Sequence, residues 1–180
     1  MIDFTTWIAA HVPADRDLER PELVELSREI VAEEGLWRPH AKRDDEARFY
    51  QQLYRDPNVD VWLICWTNRQ DTGYHDHDRS SGAVCVAQGV LFEDFFQREP
   101  DGWIREKTNR HEVGGVFDFD ATYIHGVRYV GEDFATSIHC YSPALWRMGH
   151  YEPDDKGIMR RVAMTYADEL LGTVPGPIPG

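Results

Sequence analysis

No run of apolar residues in this sequence approaches the ~20 that a membrane-spanning helix requires. Basic side chains are also scarce: 19 Lys and Arg stand against 32 Asp and Glu, a formal net charge of −13 over 180 residues. A surface of that sign repels phosphate backbones and anionic lipid, which sets nucleic-acid and membrane-surface roles aside. Cysteine is confined to Cys65, Cys85 and Cys140, in the apolar contexts LICW, AVCVA and SIHCYS. They have neither metal-site spacing nor an even number for a disulfide framework, and read as buried core thiols. The first residues, MIDFTTWIAAHVPADRD, hold no basic region, long apolar core or small-residue cleavage site, so the expectation is a cytoplasmic protein.

What is present suffices for a globular core. Hydrophobic residues make up 42% and aromatics 12%, and a chain of this length reads as one domain over 1–180, burying roughly 70% of its extended surface. Residues 1–53 read as a helical segment. A first helix runs through Ala10 and is stopped by Pro13, and a second, with Leu23, Val24, Leu26, Ile30 and Val31 at helical spacing, runs from Pro21 to Gly35. A third is expected over Asp44–Leu53. From Val59 the period changes. VDVWLICW, SGAVCVAQGVLFEDFF, GWIREKT, HEVGGVFDFD, YIHGVRYV and FATSIHCYSPALWRMGHYE are β-rich runs with Gly, Asp and Pro between them, which predicts a sandwich or barrel over 59–153. A last helix is expected over 157–171, with Met159, Val162, Ala163, Tyr166 and Leu170 on one side, followed by a loose Pro/Gly-rich tail, 172–180.

The histidines carry the chemistry. In an extended segment residues i and i+2 share a face, so His75 and His77 of the HDH triplet can reach one ion, while Asp76 between them points away. His125, in YIHGV, could complete the face if a barrel brings its strand alongside. Three neutral imidazoles suit Fe, Zn, Cu or Ni and leave coordination positions open. HxH alone is equally a mark of a His- and Asp-rich surface loop. Further along, alternation puts Ser137, His139 and Tyr141 on one face, with Ile138 and Cys140 on the other. Polar groups facing a barrel interior are costly unless hydrogen-bonded, and a polar relay beside a metal accounts for them. His11, His40, His111 and His150 read as surface or capping residues, and Trp62 and Trp66 as core residues sharing one face.

Taken together, HDH after WLICW, the lone His125 and the segment SIHCYSPAL resemble the cysteine dioxygenase family, the thiol dioxygenases of the cupin superfamily, over about Arg48 to Tyr151. The resemblance implies a mainly β, single-domain cupin, a small jelly-roll β-barrel with N-terminal helices and a short C-terminal helix. It implies mononuclear non-haem Fe(II) held by His75, His77 and His125, with Ser137, His139 and Tyr141 as an outer relay and Tyr141 nearest the iron. The activity implied is addition of both atoms of O2 to the sulfur of a small-molecule thiol, giving a sulfinic acid. Partners are then the thiol and O2, with no nucleic acid or membrane and a monomer or small homo-oligomer as the state. Three imidazoles lack the carboxylate of the commoner two-His site, and a substrate thiolate supplies the missing anion.

Three departures qualify the match. Eukaryotic members of the family carry a cysteine five residues past the second ligand that joins the tyrosine in a thioether; here Gly82 stands at that place, so no Cys–Tyr cofactor is expected. The glutamate that follows HxH in the wider cupin motif is absent. The substrate-carboxylate anchor falls within ARFYQQLYRDP, where Arg48, Gln52 and Arg55 are all candidates; a guanidinium grips a carboxylate bidentately, which an amide cannot match, and Arg48 is preferred because RFYQQL followed by VWLICW resembles actinobacterial cysteine-dioxygenase-like proteins. Tyr123, in phase with His125, is a candidate pocket residue. Cysteine, a thiol carboxylate such as mercaptopropionate, and a bulkier thiol such as ergothioneine all remain open as substrates. The rival readings are a non-catalytic metal- or ligand-binding cupin with a sensing role, and an acidic β domain that only binds partners.

Overall fold

The computed structural model describes residues 3–98, 100, 104–156 and 158–165. Helices α1 (Phe4–Ala9), α2 (Arg20–Ala32) and α3 (Glu34–Trp37) precede strands β1 (Phe49–Arg55), β2 (Asp60–Trp66), β3 (Tyr74–Asp76), β4 (Ser81–Gln88), β5 (Val90–Arg98) and β6 (Ile104–Glu112). Then follow β7 (Val116–Phe119), β8 (His125–Arg128), β9 (Ala135–Ser142), β10 (Arg147–Pro153) and β11 (Met159–Thr165). The strands form two antiparallel sheets, ordered β1-β2-β9-β4-β7 and β11-β10-β3-β8-β5-β6, the mainly β cupin architecture expected from the sequence.

Alternation in β2 and β9 builds two hydrophobic layers. Val61, Leu63, Cys65, Ile138 and Cys140 face outward and pack under the helices with Leu23, Leu26 and Ile30 of α2. Trp62, Ile64, Trp66 and Tyr141 face inward with Val84, Val86, Leu91, Phe117 and Phe119. Both faces of β2 and β9 are therefore covered, and every residue of each is buried. The three cysteines are free and buried among them. Full burial of each large apolar side chain contributes about 1.5–3 kcal/mol, and this is what holds the helices on the sheet. Local caps set their starts: the Asp3 carboxylate accepts the Thr6 N–H at 3.3 Å, and Glu22 accepts the Glu19 N–H at 2.8 Å. Among the described residues no helix is long and apolar enough to cross a membrane.

Three sequence expectations are corrected. Residues 49–53 are not the end of a third helix but the start of β1, paired with β2 from Phe49↔Cys65 to Arg55↔Asp60; Asp44 only closes a turn, accepting the Glu46 and Ala47 N–H groups. An available sheet edge overrides weak helical spacing. Gly35 does not end the second helix, which stops at Ala32, but lies within α3. The helix expected over 157–171 is, across Met159–Thr165, strand β11, laddered to β10 from Arg147↔Thr165 to Pro153↔Met159. Residues 166–171 of that expectation, and the tail, lie outside the described residues.

Strand β11 matters because of Arg161. Asp76, between the paired histidines, is buried and points away from them, as alternation predicts. It accepts Arg161 Nε at 2.6 Å and Nη2 at 2.8 Å, the Tyr151 hydroxyl at 2.8 Å, and the N–H groups of Gly149 at 3.1 Å and Asp78 at 3.0 Å. Burial acts to raise the Asp76 pKa, but the bonds from Arg161, the Asp78 N–H and Tyr151 hold it at about 2. The short β3 is thus riveted to the β10–β11 hairpin through its one carboxylate. Arg161→Met is expected to cost about 1.5–3 kcal/mol, the worth of a hydrogen bond to a buried charge. A urea titration should show a lower midpoint at unchanged slope; an unmoved midpoint refutes this role.

Candidate metal centre

Strand β3 is three residues long, and its pairing places His75 directly opposite His125 at the start of β8. His77 follows β3, two residues beyond His75 and on the same side of the chain. Ring centroids are 4.9 Å apart for His75–His77, 4.9 Å for His75–His125 and 5.3 Å for His77–His125. One nitrogen from each ring lies within 4.8 Å of the others. All three histidines are buried, at 5%, 1% and 1% exposure.

Hydrogen bonds set which nitrogen faces inward. His75 donates from Nδ1 to the Gly73 carbonyl at 3.1 Å, a carbonyl brought there by the left-handed Gly73 (φ 63°), and this leaves Nε2 as a lone pair. His125 donates from Nδ1 to Glu93 at 3.0 Å, with the same result. His125 Nε2 and His77 Nδ1 are buried with no hydrogen-bond partner among the described residues. Such orphaned nitrogens are costly in a protein interior unless something binds them. Burial, followed by the neighbouring imidazoles, pushes His75 and His77 well below the usual histidine pKa, so both are neutral and ready to ligate. The cluster fits a metal ion, and a set of imidazole donors suits Fe, Zn, Cu or Ni.

The opposite sheet contributes the polar face of β9. The Trp66 indole N–H donates to Ser137 Oγ at 2.9 Å, Ser137 Oγ lies 2.8 Å from His139 Nε2, and His139 Nδ1 lies 3.1 Å from the Tyr141 hydroxyl. An indole only donates, so Ser137 Oγ accepts at the head of this line. The tautomer in which Ser137 donates its O–H to His139 Nε2 puts the ring proton on Nδ1, against the Tyr141 oxygen. Burial, then the charges of His125 and Arg48, push His139 down to about 3, keeping it neutral. The Tyr141 ring stands 5.4 Å from that of His77.

His75, His77, His125, His139 and Tyr141 line one enclosed cavity of about 20 Å3, together with Ile64, Phe119 and Met148 among others. That is room for an ion or a water-sized group. Phe119 stacks on His77 at 4.2 Å, and its ring atoms lie 2.4 Å from where a Cβ at Gly82 would stand. Any side chain at position 82 would therefore have to displace that ring.

The candidate anchors separate. Arg48 bonds the Tyr50 hydroxyl and the Asp71 carbonyl, lies over the Trp66 ring at 5.0 Å, and its charge acts on both His75 and His139. Gln52 and Arg55 turn instead to the buried Asp60: Gln52 Nε2 donates to it at 3.1 Å, and Arg55 pairs with it while also donating to the Leu145 carbonyl at 2.7 Å. Tyr123 stands edge-on to His125 at 5.4 Å, and burial, then the Glu93 charge, pushes its hydroxyl above the usual phenol range.

Several neighbours escaped the sequence reading. Glu93 is buried behind His125. His111, expected at the surface or as a cap, bonds Glu93 through Nε2 at 3.1 Å. His150, with the same expectation, lies opposite His75 in register with its ring against Gly73. The Trp66 indole N–H heads the β9 line. A signal existed for Glu93: in VLFEDFF it is in phase with Leu91 and Phe95, a carboxylate on an otherwise apolar face.

Comparison with solved structures finds similarity to KdgF from a Halomonas species, at 18% identity and TM-score 0.48 over 60% of this chain and 90% of that one. A cupin superfamily protein from Desulfitobacterium hafniense is similar at 10% identity and TM-score 0.49, over 74% of this chain and 96% of that one. The family model described as cysteine dioxygenase type I matches residues 14–154, a span that takes in the three histidines, the β9 line and helices α2 and α3 packed behind it; the chain belongs to the cysteine dioxygenase type I family.

Proposed function

We propose that this chain is a non-haem Fe(II)-dependent thiol dioxygenase that adds both atoms of O2 to the sulfur of a small-molecule thiol, giving a sulfinic acid. The observation that carries the reading is the cavity itself: three buried imidazoles, each with a nitrogen within reach of one ion, on one side, and a hydrogen-bonded line ending in Tyr141 on the other. Fe(II) held by His75, His77 and His125 would supply a Lewis-acidic, redox-active centre at which a thiol is deprotonated and meets dioxygen. Zn shares the donor preference but has no redox chemistry, so the family's activity favours iron.

The chain's own residues then have distinct tasks. An all-imidazole ligand set carries no negative charge, which favours an anionic thiolate at the open side. His139, neutral, holds the Tyr141 phenol in place at the cavity wall. Trp66 and Ser137 brace His139 from behind. Ile64, Phe119 and Met148 wall the cavity against water, which strengthens each of these interactions. Arg48, the guanidinium whose charge reaches His75 and His139, is the proposed anchor for a substrate carboxylate; Gln52 and Arg55 are engaged with Asp60, and Tyr123 packs edge-on against His125.

The defining experiment is oxygen consumption by the Fe(II)-loaded protein with cysteine, cysteamine, mercaptopropionate, mercaptolactate and ergothioneine, with the sulfinate identified by mass. Uptake with one thiol is expected, and His77→Ala should lose bound iron and activity together; stoichiometric iron with full turnover in that variant overturns the ligand set. Stoichiometric iron without uptake on any of these thiols would favour the sensing cupin. Tyr141→Phe should retain iron and slow turnover roughly 10²-fold, the usual worth of one preorganised donor, with O2 consumed in excess of sulfinate. An unchanged rate and ratio removes Tyr141 from the chemistry. Arg48→Gln should raise KM for a carboxylate-bearing thiol about 10–100-fold, as loss of a charge-assisted hydrogen bond predicts. If Gln52→Ala gives that increase and Arg48→Gln does not, the anchor is the amide.

A further inference from the structure

Glu93 is a carboxylate at 2% exposure inside the second sheet, and such a group is expensive unless its charge is answered. The other carboxylates buried near the site are answered by arginine: Asp60 by Arg55 and Asp76 by Arg161. The partners of Glu93 are of another kind. Oε1 accepts His125 Nδ1–H at 3.0 Å and Oε2 accepts His111 Nε2–H at 3.1 Å. Two imidazoles answer it without supplying a fixed positive charge.

The row His125–Glu93–His111 crosses three neighbouring strands, β8, β5 and β6, with β5 in the middle. An ionised carboxylate only accepts, so both histidines donate to it. For His125 this fixes the proton on Nδ1 and the lone pair on the orphaned Nε2, the nitrogen that faces His75 and His77. The one cation that the site is built to take lies a single imidazole away from the unanswered charge.

We propose that Glu93 is the positioning residue and outer counter-charge of the metal centre: it locks His125 in the ligating tautomer and sets a negative charge behind that ring, leaving the open side of the metal to an anionic thiolate. His111 holds the carboxylate in the orientation this needs. The proposal rests on the three-histidine metal site put forward above.

The test is anaerobic titration of the full-length protein with Fe(II), and with Co(II) as a spectroscopic probe, for the wild type, Glu93→Gln and His111→Gln. Glutamine keeps the shape of the side chain but removes its charge and replaces one acceptor oxygen with an NH2 donor, so only one of the two histidines can still donate to it. Glu93→Gln should weaken Fe(II) binding 10–100-fold, as loss of a partner behind a ligating histidine does. It should also change the Co(II) ligand-field bands and shift the Fe(III)/Fe(II) potential positive, readouts that a packing role would not move. Glu93→Asp should restore part of the affinity. A folded Glu93→Gln with the wild-type Kd, spectrum and potential overturns the proposal. Should that variant fail to fold, His111→Gln, one residue further from the metal, should show a smaller shift in the same direction, and no shift there overturns it instead. If the wild type takes up no metal at all, the metal site and this inference fall together; if it does and Glu93→Gln matches it, only the inference falls.

Discussion

Everything in this fold hangs on the register of β9 between β2 and β4. In that register Ile138 falls opposite Leu63 and Cys85, while His139 falls opposite Trp62 and Val84. Thr136, Ile138 and Cys140 therefore go under the helices and Ser137, His139 and Tyr141 go into the cavity. A slip of one residue would exchange the two sets, burying the polar line against Leu23 and Ile30 and offering the cavity only Ile138 and a thiol. Because β9 is covered on both faces, both errors are penalised at once, by unsatisfied polar groups on one side and lost apolar contact on the other. The helices thus do more than cover a sheet. They supply half of the discrimination that points the β9 line the right way.

Around the cavity, charge is arranged in layers. Of the innermost groups, His75, His77 and His139 are neutral because burial strips the solvation an imidazolium would need. Glu93 lies one hydrogen bond further out, behind His125, and Asp76 lies on the outer side of β3. Opposing effects act on Glu93. Burial raises its pKa, while the bonds from His111 and His125 lower it, and the latter prevail, holding it at about 2.

Much of this was readable in the sequence wherever a strand's period of two could be applied to a known segment. HDH, His125 and Ser137/His139/Tyr141 were legible because each needs only local alternation, or a spacing that a family shares. The strands at either end of the barrel were not. Phe49–Arg55 and Met159–Thr165 carry apolar residues at spacings that suit a helix as well as an edge strand, and only the long-range ladders to β2 and β10 decide between them. Glu93 and His111 were missed for a related reason: a buried charge is recognisable only once its partners are known, and these partners lie on two other strands. For Gln52 and Arg55, the competing claim of Asp60 is invisible until β1 is paired with β2.

The three histidines belong to one sheet and its following turn, whereas Trp66, Ser137, His139 and Tyr141 belong to the other. The two groups face each other across the gap of the sandwich, with no ladder joining β3 or β8 to β9. The spacing within each group is set by backbone pairing and is stiff. The spacing between them is set by the thickness of interdigitated side chains such as Phe119 and Met148. Breathing of the sandwich would therefore leave the imidazoles in mutual contact while lengthening the reach from Tyr141. The volume of a few apolar residues between the sheets is the dial that sets how tightly the phenol and the histidine cluster are coupled.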